Sequence, residues 1–86
     1  MVNTAVMSSV EFDAAGDPVL RAEQAAALLG VTLEAFLADL RAGHVYSIVE
    51  RGEGLDAGRL RLTLRNRATE RRLVVDAANG RVLEGC

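Results

Sequence analysis

All ten basic side chains of this sequence are arginines, and six of them, Arg59, Arg61, Arg65, Arg67, Arg71 and Arg72, crowd into one short stretch. A guanidinium presents a planar fork of donors that meets carboxylate or phosphate oxygens two at a time. Arg59 and Arg61 stand two positions apart, so on an extended strand they share a face at a separation of roughly 7 Å, which suits neighbouring phosphates or carboxylates. Just upstream lies an acidic loop with Glu50, Glu53 and Asp56, and Asp56 is expected to pair with Arg59 or Arg61. The candidate interaction face is therefore Arg59, Arg61, Arg65 and Arg72 together with Glu53 and Asp56. Single-stranded nucleic acid is normally held by aromatic platforms, and no Phe, Tyr or Trp interleaves these arginines. The ordinary reading is a strand face kept soluble by charge or an edge guarded against aggregation. Docking of an acidic protein or a second subunit ranks next, ahead of nucleic acid.

Other reactive residues are sparse. His44 is the only histidine and follows Gly43 at a helix end, where the dipole favours its protonated form. Cys86 is the only cysteine. With no Cys-x-x-Cys and no second histidine, these two do not form a metal site or an internal disulfide, and the lone cysteine fits a reducing compartment. It is expected to be exposed. The acidic loop lacks the alternating Asp/Asn ligands and closing Glu of a calcium loop, so it reads as a solvated connection. Ser47 and Thr63 have only His44 to serve as a base. No catalytic, cofactor-binding or metal-binding residue is expected; an enzyme would need a pocket that gathers Asp56, Arg59, Arg61 and His44.

The elements that must position these residues are legible from periodicity. Arg59 to Arg65 alternates strictly, which sends Leu60, Leu62 and Leu64 to a core and Arg59, Arg61, Thr63 and Arg65 to solvent. After a turn over residues 66–70, Arg71 to Asp76 returns with Leu73 and Val75 inward and Arg72 and Val74 outward. A last strand runs from Arg81 to Glu84. Val45 to Val49 puts Val45, Ser47 and Val49 on one face and Tyr46 and Ile48 on the other. Because both faces are partly apolar, an interior place in the sheet is expected. Residues 22–29 and 33–42 read as two short helices parted by Gly30, with Thr32 capping the second. Leu33, Phe36, Leu37 and Leu40 form a stripe that must be buried, since neither helix is long enough to stand alone. Near the start, Val10 to Phe12 and Pro18 to Leu20 flank Asp13-Ala14-Ala15-Gly16-Asp17, a hairpin favoured over a helix that starts at Pro18. The same pattern of Asp-Ala-Ala, glycine and Val-Leu recurs at Asp76 to Leu83, where Asn79-Gly80 is the stronger turn. The fold class is α+β: a mostly antiparallel meander of four to five strands with two helices on one face.

At 86 residues this is one domain, expected to span residues 8–86 after a loose lead-in over residues 1–7. A chain near this size buries only ~60–65% of its unfolded surface, so the core is thin. Up to Glu50 there are two arginines against seven acids, and from Arg51 onward eight against five. Halves of opposite sign favour docking onto each other or onto a second copy. The opening residues lack a basic, apolar secretory signal, and no stretch approaches the ~20 apolar residues of a membrane span. A cytoplasmic protein without a membrane partner is expected.

The run Glu50-Arg51-Gly52-Glu53-Gly54-Leu55-Asp56-Ala57-Gly58-Arg59-Leu60-Arg61-Leu62-Thr63, read as Glu-x-Gly-x-x-x-Asp-x-Gly-Arg-x-Arg-Leu-Thr, resembles a family of small bacterial domains of unknown function. The likeness extends over Arg72 to Asp76 and Gly80 to Leu83, and back to the short opening strand and the helix that ends Leu28-Leu29-Gly30. It implies a single small α+β domain and transfers no site residue. The chain departs from that pattern at Leu64, where members of the resembling family often carry Phe, and at Arg21, where they often carry Asp.

The sequence thus points to a small non-enzymatic interaction or regulatory module, self-associating or bound to a protein partner, that docks through the arginine strand. The alternative is a nucleic-acid binder in which the helix pair acts as a helix-turn-helix and the basic hairpin as a wing. Against it, Glu34 and Asp39 stand with Arg41 among the outward positions of the second helix, where a polyanion would be met.

Overall fold

The computed structural model describes residues 8–85. The expected lead-in at residues 1–7 and the exposure of Cys86 lie outside the described residues. Strand β1 (Glu11–Phe12) and β2 (Pro18–Val19) form a small hairpin, followed by helices α1 (Ala22–Leu29) and α2 (Leu33–Arg41). Strands β3 (Val45–Arg51), β4 (Arg59–Asn66), β5 (Thr69–Asp76) and β6 (Val82–Gly85) then make an antiparallel meander in spatial order β3-β4-β5-β6.

Leucine alternation organises the sheet. Leu60, Leu62 and Leu64 are all buried, and their register partners Val75 and Leu73 on β5 are buried with them. Val10, Phe12, Leu20 and Leu28 complete this part of the core beneath the sheet. A second part joins Ala25, Ala26 and Leu29 of α1 to Phe36 of α2 and Leu64 of β4. The alanines let α1 lie close to the strands. Leu64 belongs to both the ladder and the helix contact.

Each helix end has a chemical reason. Arg21 precedes α1 without an acceptor in its side chain, and Gln24 supplies one instead: its Oε1 accepts the Arg21 N–H at 2.9 Å. Thr32 Oγ1 caps α2 by accepting from the Ala35 N–H at 3.1 Å. Both helices close on a left-handed glycine, Gly30 and Gly43. In α2 the His44 N–H reaches back to the Asp39 carbonyl at 2.9 Å.

The two Asp-Ala-Ala turns share one device. Asp13 Oδ1 accepts from the Ala15 N–H and Asp76 Oδ1 from the Ala78 N–H, each closing a small loop onto a side chain. Asn79 acts in the same way on Arg81, so only Gly80 takes positive φ there. Gly80 is also where the N-terminal segment docks, for the Val10 N–H donates to its carbonyl at 2.8 Å. Any Cβ at Gly80 would collide with the Val10 carbonyl oxygen.

Several expectations are corrected. β3 is an edge strand rather than an interior one; its apolar outer face is simply left in water. Thr63 is buried, not solvated, because its short side chain lies between the longer Ile48 and Arg72 opposite it on the two flanking strands. Of the α2 stripe only Phe36 is buried, while Leu33 and Leu40 are 41% and 47% exposed. The helix rests on α1 and on one end of the sheet, which covers one residue of its stripe fully. β5 begins at Thr69, because a two-residue turn suffices after Asn66, and α2 ends at Arg41.

Candidate functional site

The helices and the β1–β2 hairpin lie on the leucine face, so among the described residues nothing covers the opposite face of the meander. Strand alternation places Tyr46, Ile48 and Glu50 of β3 on it, with Arg59, Arg61, Thr63 and Arg65 of β4, Glu70, Arg72, Val74 and Asp76 of β5, and Glu84 of β6. Four of the six clustered arginines thus share one face. The other two do not. Arg71 falls opposite Leu64 with the core-facing series, and Arg67 sits in the β4–β5 turn.

Acids thread between these arginines. Glu50 Oε1 receives both the Nε and the Nη2 of Arg61, at 2.8 and 2.7 Å. Glu70 lies between Arg65 at 3.3 Å and Arg72 at 3.0 Å. The contact to Arg65 Nε lacks hydrogen-bond alignment, and Arg65 instead donates through Nη1 to the Tyr46 hydroxyl at 3.1 Å. That hydroxyl, and then the Glu70 carboxylate, hold the Arg65 guanidinium above its ordinary pKa. Asp56 is 3.9 Å from Arg59, which resolves the sequence alternative in favour of Arg59. All these pairs are at least partly in water, where screening leaves each of them weak. They order the face more than they hold the fold together.

At one end the face deepens into a cleft of about 380 Å³, lined by Glu50, Arg51, Gly52, Asp56, Arg59 and Arg61 among others. Gly52 makes it possible: a Cβ there would overlap the Asp56 backbone, so only glycine lets residues 53–58 fold back over the strand end. The Gly52 N–H closes that loop onto the Arg59 carbonyl at 2.9 Å. Glu53 stands at its start, exposed, and its carbonyl accepts from the Asp56 N–H. Asp56, Arg59 and Arg61 therefore meet, as an enzymatic pocket would require. His44 does not join them. It precedes β3 at the far end of the sheet, where its carbonyl accepts from the Arg67 N–H.

One cluster escaped the sequence reading. Asp39, expected to face outward, has a side chain only 21% exposed and turns toward the sheet. Its Oδ2 accepts from Asn66 Nδ2 at 3.0 Å, and its Oδ1 lies 3.2 Å from Arg67 Nη2. The Asn66 amide, then the Arg67 guanidinium, hold the Asp39 carboxyl below its usual pKa. Asn66 is buried at the end of the leucine ladder. A polar residue continuing the inward series of an alternating strand was the signal available.

Among the described residues no group of three His, Cys, Asp or Glu side chains is placed to hold a metal ion, and no helix is long and apolar enough to cross a membrane.

A four-stranded antiparallel meander with a helix pair on one face and an ion-paired arginine face on the other defines a small α+β domain. The chain belongs to the family of unknown function DUF6522, which its residues 7–85 match. No curated protein and no solved structure matches it.

Proposed function

We propose that this protein is a small non-enzymatic interaction module of the cytoplasm, self-associating, that docks an acidic protein surface through Arg59, Arg61, Arg65 and Arg72. The observation that carries this reading is the uncovered face of the meander. Four arginines, two exposed apolar side chains (Tyr46 and Ile48) and the half-buried Val74 stand there together, and both helices lie on the other side. Arginine beside aromatic and aliphatic surface is the composition of protein interfaces, with the guanidinium stems adding apolar area of their own. The Glu50, Glu70 and Asp56 partners hold the forks in place and are exchanged for a partner's carboxylates on docking. They also reduce the field a nucleic acid would meet, which favours a protein over a polyanion.

Light scattering behind size exclusion at low and high salt, with and without Arg59→Glu and Arg61→Glu, tests the proposal. Self-association of the parent chain supports its first part, and salt-sensitive binding of an added acidic polypeptide, lost on charge reversal, supports its second. A strict monomer under every condition removes self-association, and a salt-sensitive shift of duplex DNA lost in the same double variant would favour the nucleic-acid reading.

A further inference from the structure

The two edges of the meander are built differently. β6 has four residues, a register shift opposite Val74 and Val75, and a neighbour: Ser9 bridges to Arg81, and the Val82 N–H donates to the Ser8 carbonyl. Short length, a bulge and a covering segment are the usual protections of a sheet edge. Among the described residues β3 has none of these. It runs for seven residues in unbroken register with β4, contains no proline, and keeps its charges to its last two positions, Glu50 and Arg51.

The hydrogen-bond phase shows which groups are free. The Arg67 N–H donates to the His44 carbonyl and the Gly52 N–H to the Arg59 carbonyl. Hydrogen-bonded positions alternate along an antiparallel ladder, so residues 44, 46, 48, 50 and 52 turn their backbone groups toward β4. Val45, Ser47, Val49 and Arg51 turn theirs outward. We infer that this edge takes β3 of a second copy, antiparallel, with the two-fold axis at Ile48, so that two meanders form one eight-stranded sheet. The inference rests on the self-association proposed above.

The strand is complementary to itself in that register. Residues 45 and 51 pair, as do 47 and 49, so every outward backbone group finds a partner. Ile48 meets Ile48 of the second copy at a close, non-hydrogen-bonded position, where apolar side chains approach best. Charge fits as well. Glu50 of one copy falls opposite Tyr46 of the other, and the next residue across the sheet from Tyr46 is Arg65. The row therefore reads Arg61, Glu50, Tyr46, Arg65, Glu70 across the junction, with no like charges side by side. Arg51 falls opposite Val45. The arginine faces of the two copies become one continuous surface.

The test is made in a Cys86→Ser background. Ile48→Cys should give a reducible disulfide dimer, because Cα atoms ~4.5 Å apart at such a position allow the bond. Ser47→Pro removes an outward N–H while leaving the β4 ladder intact, and should yield a folded monomer by light scattering and circular dichroism. A dimer that survives Ser47→Pro with Ile48→Cys uncrosslinked would overturn the edge contact and leave self-association standing. A parent chain that stays monomeric at millimolar concentration would overturn both.

Discussion

Asp39 ties α2 to the sheet through the last side chain of β4, Asn66, and the first of the turn after it, Arg67. Its depressed pKa fixes the sign of a pH effect. The group contributes stability above the unfolded carboxyl value near 3.9, and that contribution is lost as pH falls through the lower folded value. Urea unfolding of the parent and of Asp39→Asn should therefore differ most near neutrality, with the gap closing below about pH 4. A gap independent of pH would mean that the carboxylate is not what Asn66 and Arg67 recognise. Gly80 makes a second residue-scale prediction. Both Gly80 and Gly43 have positive φ, but nothing lies within 4 Å of a Cβ at Gly43. Gly43→Ala should cost about 1 kcal/mol from backbone conformation alone, and Gly80→Ala clearly more, through the Val10 carbonyl. Equal melting temperatures for the two variants would contradict that docking contact.

At the scale of elements, α2 is held by little. Phe36→Ala should destabilise by about 3–5 kcal/mol, whereas Leu33→Ser and Leu40→Ser should each cost clearly less, because those side chains keep over two fifths of their surface in water. Chemical denaturation distinguishes them. The sheet is held by the ladder, and Leu60→Ala should cost about 2–5 kcal/mol. This contrast also marks how far sequence reasoning reaches. The period-two run from Arg59 to Arg65 carries its own burial pattern, since every inward residue is a leucine and its neighbours are charged or polar. The α1 bounds and the β1–β2 hairpin were legible for the same reason, with glycine and Asp turns at their ends. The stripe of α2 was not. Helical spacing states that four side chains share a face, but the area available to cover them depends on where the helix docks. Likewise Tyr46 and Ile48 have the composition of an interior strand. Only the order of strands in space reveals that β3 has one neighbour among the described residues. Among the site residues, Arg59, Arg61, Arg65 and Arg72 could be assigned to one face by parity alone. The Glu50–Arg61 pair depends on the β3–β4 register, which residues 52–58 set and periodicity does not encode.

For the molecule as a whole, the thin core and the unprotected edge describe the same shortage. A domain of this size buries little, and its sheet ends on one side in a row of outward N–H and C=O groups beside exposed Tyr46 and Ile48. Joining two copies through β3 covers that row and sets eight arginines on one surface. The acidic partner proposed above would then be met by a dimer, gaining from two linked contacts what one ion-paired arginine set gives weakly. Charge reversal at Arg59 and Arg61 should weaken that partner contact without touching the β3 junction, and Ser47→Pro should do the reverse.

Amide hydrogen exchange along β3 as a function of protein concentration tests this most directly. Dilute protein should show rapid exchange at Ser47 and Val49, whose N–H groups point outward, and protection at Ile48 and Glu50, whose N–H groups bond β4. As concentration rises, Ser47 and Val49 should become protected as well. Fast exchange at those two residues at every concentration, in a protein that light scattering finds to be dimeric, would contradict the account.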